Sequence, residues 1–502
     1  MKYFLTLIQL WVGFLSICAS YPKANIWIIP SVESPQVYRN YAQTSKVHLE
    51  MARGEVEHIQ LVFPSKVNEE YRFTFDRYLK GIQISARELK KMNGYYDALV
   101  PFKNQLKCTD TLTAVWITVQ CPSRVPVGKY HQTIKIEGSK HFTIQLDYNV
   151  HHTTIPLKSS IPITVGVENR CMTECLNDKE ADKERQRWVD FVLSYRMTPV
   201  FGTQITPERW QYEHSFSPWA WNDKRSIRLL NDRRYSCYML PFFTLSENEL
   251  ASLLCNIQKK GKLKESLFYI WDEPAYMEDY EQIKRKVNII RKYASDARIL
   301  TTFFCGPRNG PRKGDLYAVF DYLKHHIHVA TISLAPCKGN EEEVQHIRYK
   351  VPEGIDWWSY VCWQPGGNEP NFLLQMKGIQ QRAIMWRTWK NGSQGFLYWN
   401  CNIYHKRNPF TYITDMPHGD GILIYPGDIL GCKGPIASAR LERWRDGAEE
   451  MELLRLVEKN YSKEKADTLL NIVYSSPLSF IEKAHNIPFF RKELLDQLDK
   501  TI

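Results

Sequence analysis

From residue 161 onward, short apolar runs alternate with amphipathic helical stretches, and this alternation limits the fold more than any other feature. Eight runs are predicted strands: Ile161–Val167, Pro199–Gly202, Tyr235–Phe243, Ser266–Trp271, Arg298–Phe304, His328–Leu334, Asp356–Trp363 and Gly395–Trp399. Between the first two, Trp188, Phe191, Val192 and Tyr195 share one helical face; after the fourth, Tyr280, Ile283, Val287 and Ile290 do the same. Strand then helix, eight times over, predicts a (β/α)8 TIM barrel. The second unit carries the pattern most weakly. Two adjacent α/β domains, or a doubly wound sheet, therefore stay open as alternatives.

Residues 21–155 have a different rhythm. Phe142-Thr-Ile-Gln-Leu-Asp-Tyr-Asn-Val150 alternates apolar and polar, as a half-buried strand does. Val115, Ile117 and Val119 alternate around Trp116, Pro126-Val-Gly128 reads as a turn, and Tyr130 to Ile136 begins another strand. Such strands between Pro, Gly and Asn turns predict a β-sandwich. His152–Ser160 reads as the link. A loop rich in Gly, Pro and Asp runs from Asn402 to Pro435, followed by a helix from about Ala437 to Asn460 and two shorter ones. The expectation is a multidomain α+β chain: a leader over 1–20, a β-sandwich over 21–155, the barrel over 156–435, and a helical extension packed on it over 436–502.

The leader reading rests on Lys2, the nearly unbroken apolar stretch Tyr3–Ile17, and the small residues Cys18-Ala19-Ser20 as a cleavage site. It implies a secreted or periplasmic protein. A lipid anchor on Cys18 fits less well, because Ile17 stands where such signals carry a small residue. No other segment reaches the roughly 20 apolar residues of a membrane span. The 12 cysteines are scattered, and Cys237, Cys305 and Cys362 sit in apolar runs, so buried free thiols are expected. Cys171 and Cys175 could pair or bind metal, but no second such pair accompanies them. The net charge of +11 is spread among acidic residues, and no nucleic-acid motif is present.

The strongest chemical signal is Phe268-Tyr-Ile-Trp-Asp-Glu-Pro274, an apolar strand ending in two adjacent carboxylates and a proline. Barrel catalysts sit at the C-terminal ends of strands, where Asp272 and Glu273 would lie. A structural reading competes: Asp272 capping the next helix and Glu273 solvated in a turn. Tyr269 and Trp271 favour function, because apolar neighbours raise a carboxyl pKa and suit a general acid. Glycosidases ordinarily carry their two carboxylates on different strands. Adjacent residues on one strand diverge, which is awkward for a nucleophile and acid. If the substrate's own 2-acetamido oxygen attacks, Asp272 need only orient that group while Glu273 acts as acid and then base. This scheme retains anomeric configuration and requires neither metal nor cofactor.

Aromatic and amide groups cluster at the last two strands, in Asp356-Trp-Trp-Ser-Tyr360, Trp363 and Tyr398-Trp-Asn-Cys-Asn402. Rings stack on sugar faces and amides bond hydroxyls, so Trp271, Trp358, Tyr360, Trp363, Tyr398, Trp399, Asn400 and Asn402 are candidate substrate contacts. Strand alternation turns about half of them away from a shared pocket; Trp363, Trp399 and Asn400 are the strongest. Weaker signals are Glu168-Asn169-Arg170 after the first strand and the loop Asp415–Asp420. His151-His152, at the domain link, reads as structural.

Taken in order, these segments resemble glycoside hydrolase family 123, the β-N-acetylgalactosaminidases. The resemblance rests on Trp271-Asp-Glu-Pro274, Gly395-Phe-Leu-Tyr-Trp-Asn400, Gly419-Asp-Gly421, Tyr425-Pro-Gly427, Ser438-Ala-Arg-Leu-Glu442 and Arg445-Asp-Gly447. It implies that the family's Asp-Glu pair falls on Asp272 and Glu273. It also implies the sugar, β-linked N-acetylgalactosamine at the ends of glycans or glycolipids. The same mechanism on another N-acetylhexosamine, a retaining enzyme with a distant nucleophile, and a non-catalytic sugar-binding protein are the competing expectations.

Overall fold

The structure, a computed structural model, describes residues 26–76, 81–174, 176–206, 209–211, 231–240, 246–405, 407–412 and 419–501. The leader, Cys18, Cys175, Asp415–His418 and the last residues of the third predicted strand lie outside them.

Two five-stranded sheets form the N-terminal β-sandwich. Trp27–Pro30, Glu55–Pro64, Leu112–Cys121, Gln83–Met92 and Tyr95–Pro101 make one; Lys46–Arg53, His141–Thr154, Gly128–Glu137, Glu70–Phe75 and Gln105–Lys107 make the other. The alternation in Phe142–Val150 places Phe142, Ile144, Leu146, Tyr148 and Val150 in the sandwich core. The strand Glu55–Pro64 is buried along nearly its whole length, because its outer face is covered by the second domain.

That domain is the expected barrel. Its parallel strands are β1 (Ile163–Glu168), β2 (Thr198–Thr206), β3 (Tyr238–Leu240), β4 (Ser266–Trp271), β5 (Arg298–Phe303), β6 (Val329–Ser333), β7 (Asp356–Val361) and β8 (Phe396–Tyr398). They are bonded in the order β2-β1-β8-β7-β6-β5-β4-β3. The ladder is open only between β2 and β3, where the Ser236 amide donates to Thr198 Oγ1 at 3.2 Å. Outside run α1 (Asp178–Ser194), α2 (Glu247–Lys259), α3 (Met277–Tyr293), α4 (Tyr317–Leu323), α5 (Glu341–Lys350), α6 (Gly378–Lys390), α7 (Ala439–Asn460), α8 (Lys463–Leu470) and α9 (Ile487–Asp499). Of the predicted faces, Trp188 and Val192 of α1, Tyr195 just after it, and Tyr280, Ile283, Val287 and Ile290 of α3 are buried against the strands, while Phe191 of α1 is half-buried.

Helix α7 is wedged between α6 and the sandwich. Gly447 is obligatory there, since a Cβ would stand 2.2 Å from the Arg382 carbonyl oxygen. Charges are packed inside this wedge. Arg382 bonds Glu450 at 2.6 Å and Asp446 at 3.0 Å; Arg491 of α9 bonds Glu55 and Glu57 at 2.8 and 2.9 Å; His58 lies 3.1 Å from Glu442. His151 bridges Glu50 and Asp499, tying the sandwich to α9, in keeping with its structural reading. All ten described cysteines are free. No described helix is long and apolar enough to cross a membrane.

Candidate active site

Strand β4 sends Leu267 and Tyr269 into the barrel and Phe268 and Ile270 toward the helices. Buried on both faces, it is largely apolar from Leu267 to Trp271. Its register against β5 then shifts: Tyr269 pairs with Leu300 and Trp271 with Thr301, leaving Ile270 without a counterpart. Such a bulge re-aims the chain that follows it. Glu273 next adopts φ +44°, a left-handed conformation costing roughly 1–2 kcal/mol for a residue with a Cβ. Together, bulge and turn release the two carboxylates from strand alternation.

The pair divides its partners across the barrel mouth. Asp272 Oδ1 accepts from the Tyr269 hydroxyl at 2.6 Å and from Thr302 Oγ1 at 2.7 Å. Thr302 Oγ1 in turn accepts from the Glu273 amide at 3.1 Å. Asp272 Oδ2 has no hydrogen-bond partner among the described residues. Glu273 Oε1 accepts from the hydroxyl of Tyr360, at the end of β7. Both carboxylates are open to solvent on one side, while protein surrounds the rest. Burial first, and the neighbouring Asp272 charge second, push Glu273 up to about 7, against the pull of the Tyr360 bond and the Arg308 charge. A carboxyl group raised this far toward neutrality is suited to giving and taking a proton.

The wall beside the pair is aromatic. Tyr269, Trp358, Tyr360, Cys362 and Trp399 belong to one interior cluster. The half-buried Trp399 donates its indole N–H to Asp420 Oδ1 at 2.9 Å, and Tyr398 donates to the same oxygen at 3.0 Å. Burial pushes Asp420 up to about 6. The packing is close: a Cβ at Gly421 would stand 2.6 Å from the Trp399 ring.

The profile of the glycoside hydrolase 123 catalytic domain matches residues 183–457, more than half of the chain. The chain belongs to glycoside hydrolase family 123. A family 123 glycoside hydrolase from Clostridium perfringens, from a structural study of glycolipid glycan hydrolysis, superposes with a TM-score of 0.66. It is 14% identical, and the match covers 95% of this chain and 98% of that one, so it shows the fold. An FMN-binding β-glucuronidase from Facaelibacterium prausnitzii L2-6 matches 81% of the chain and 59% of its own length at 9% identity; its TM-score of 0.31 carries no argument. No curated protein sequence matches the chain.

In this family 123 glycosidase the other predicted residues fall into two groups. Trp363 stands 40% exposed beyond β7, Trp399 is half-buried, and the buried Tyr360 reaches the pair through its hydroxyl. The remainder are placed elsewhere. Beyond the bulge, Trp271 points to the outer layer, with Lys286 of α3 over its ring. Trp358 is sealed deep in the barrel, against Gly395, where any Cβ would strike its ring. Tyr398 faces outward onto Phe372 and Trp444. Buried Asn400 accepts from the Asn402 amide at 2.8 Å, and Asn402 clamps Glu168 through bonds of 2.7 and 2.9 Å. These amides join the tips of β1 and β8. Glu168 and Asn169 are engaged likewise: Glu168 accepts from the Arg170 amide, and Asn169 from Arg185. No cluster of potential metal ligands occurs among the described residues.

Sequence reasoning missed Thr302, which orders both members of the pair. Its signal was Thr301-Thr302 at the end of an apolar strand. Arg308 was also missed, because a loop arginine has no signature.

Proposed function

We propose that this family 123 glycosidase removes terminal β-linked N-acetylgalactosamine from glycans or glycolipids, with retention, through the substrate's own acetamido group. The observation that carries this reading is the division of partners within the adjacent pair. Asp272 is held by two hydroxyls on one oxygen, and its other oxygen is available for the acetamido N–H. In this reading Asp272 orients the acetamido oxygen toward the anomeric carbon and balances the positive charge that develops as it attacks. Glu273 protonates the departing glycosidic oxygen, then takes a proton from the water that opens the oxazolinium-type intermediate. Its elevated pKa suits both half-reactions. Trp399 offers a face for the sugar, and the exposed Trp363 a second aromatic surface. N-acetylgalactosamine is the sugar implied by the family resemblance, and glycolipid glycans are what the Clostridium perfringens relative hydrolyses. Export through the leader over residues 1–20 would bring the enzyme to such substrates.

The test is release of p-nitrophenol from its β-N-acetylgalactosaminide and β-N-acetylglucosaminide, with a thiazoline mimic of the cyclic intermediate as inhibitor. Release from the first sugar, blocked by the thiazoline, is expected. Release that ignores the thiazoline would assign the pair to another mechanism, and no release from either sugar would leave a binding protein.

A further inference from the structure

The segment 419–422, beyond β8, is held from the sandwich domain. Asp97 lies on the sandwich strand Tyr95–Pro101 and is buried at the domain boundary. Its Oδ2 accepts from Arg440 Nε at 3.0 Å, from Arg440 Nη2 at 2.9 Å and from the Tyr425 hydroxyl at 2.5 Å. Its Oδ1 accepts from the Arg440 amide at 3.4 Å. Arg440, in the first turn of α7, directs its other hydrogens to carbonyl oxygens. Nη1 donates to Gly419 at 2.6 Å and to Phe372 at 2.7 Å, and Nη2 donates to Ile422. All five guanidinium hydrogens are engaged, and one planar group grips both ends of the segment.

Between those ends stands the fully buried Asp420. Its Oδ1 accepts from the Trp399 indole at 2.9 Å and from the Tyr398 hydroxyl at 3.0 Å, and the Gly421 amide donates to that hydroxyl at 2.9 Å. Trp399 lies two residues beyond Leu397, which faces the barrel interior and pairs with Tyr360. The Tyr360 hydroxyl bonds Glu273. The half-buried Trp399 packs against that interior cluster. It also packs against a second cluster, which joins Ala98 and Val100 of the sandwich to Ile422 and Tyr425. Buried, mutually bonded groups of this kind have one arrangement rather than many.

An unbroken series of contacts thus runs from the sandwich to an aromatic ring beside the Tyr360–Glu273 bond. Resting on the function proposed above, in which that ring faces the sugar, we infer that Asp97 is a positioning residue for substrate binding. It fixes Arg440, Arg440 fixes segment 419–422, and Asp420 in that segment sets the angle of Trp399. Asp97 itself, sealed from solvent, touches no substrate.

The experiment assays the full chain for p-nitrophenol release from its β-N-acetylgalactosaminide. Wild type, Asp97→Asn, Trp399→Phe and the double variant are compared by KM, kcat and melting temperature. Asp97→Asn keeps the shape but puts an amide NH2 against an existing donor in either orientation. It should raise KM about fivefold to tenfold with kcat held within about twofold. A merely structural loss would lower the amount of folded enzyme, and so kcat, without moving KM. In the Trp399→Phe background the same substitution should change KM by less than about twofold, while lowering the melting temperature as much as in wild type. Should Asp97→Asn fail to fold, Arg440→Lys takes its place: it keeps a cation beside Asp97, cannot grip both ends of the segment, and should give the same pattern. An unchanged KM, or a rise that persists in full in Trp399→Phe, would overturn the positioning inference alone. No release by wild type from this glycoside or from the β-N-acetylglucosaminide would overturn the hexosaminidase reading and this inference with it.

Discussion

Two regions of this protein hold carboxyl groups close together, one sealed inside and one open to solvent on one side, and they treat them oppositely. In the wedge around α7, cations surround the acids. Glu442 lies against His58, Arg87 and Arg445, which hold it well below the usual carboxylate range. Where cations are shared the balance shifts: Glu57 divides Arg491 with Glu55 and is pushed up to about 8 by burial. At the tip of β4 the first partners are hydroxyls. Tyr269, Thr302 and Tyr360 orient the carboxyl groups without a positive charge in contact, and burial together with the neighbouring Asp272 charge raises Glu273 to about 7. Burial alone decides neither case. Cations in excess, as around Glu442, make a fixed structural anion; where cations are shared, as at Glu57, or replaced by hydroxyls, as at Glu273, burial leaves a group that can still change protonation state.

The sharpest way to separate the regions is to neutralise one acid in the tip. Glu273→Gln should lower kcat/KM on glycosides with poor leaving groups by on the order of 10³, with no loss of melting temperature. A fall in both together would mean that the pair is a structural element like the wedge. The converse substitution, Arg382→Ala, strips a buried cation from Glu450 and Asp446 and should cost about 3–5 kcal/mol in denaturant unfolding. The folded fraction should keep wild-type kcat. A smaller effect is expected from Tyr360→Phe, which removes the donor that favours the Glu273 anion. The Glu273 pKa then rises, and because the protonated acid is lost as pH rises through that pKa, the basic limb of kcat/KM should move upward by about one unit or less. A downward shift would show that Tyr360 does not favour the anion.

Much of this comparison was legible before the fold was known, but unevenly. Period and length mark strands well, and Ser266–Trp271 was read to the residue, because a strand buried on both faces is an unbroken apolar run. Asp272 and Glu273 stood out by ending such a run before a proline. Invisible was the bulge at Ile270, which depends on register against β5 and turns Trp271 outward. For the same reason Trp358 and Tyr398 read as pocket residues: alternation separates faces within a strand but does not say how deep in the barrel each ring sits. Arg440-Leu-Glu-Arg-Trp-Arg-Asp446 has the composition of a solvated helix face, and only the sandwich lying across α7 makes it an interior. Thr302 and Arg308 act through neighbours contributed by another strand or loop, a relation that spacing along the chain does not record.

The central proposal, that Glu273 serves as the acid because burial beside Asp272, with no cation in contact, raises its carboxyl group, is tested most directly by the pH dependence of kcat/KM. Phenyl β-N-acetylgalactosaminide is the substrate of choice, since its poor leaving group makes protonation count. The account predicts a basic limb near pH 7 that disappears in Glu273→Gln. A limb in the ordinary carboxyl range below pH 5, or one that survives the substitution, would contradict it.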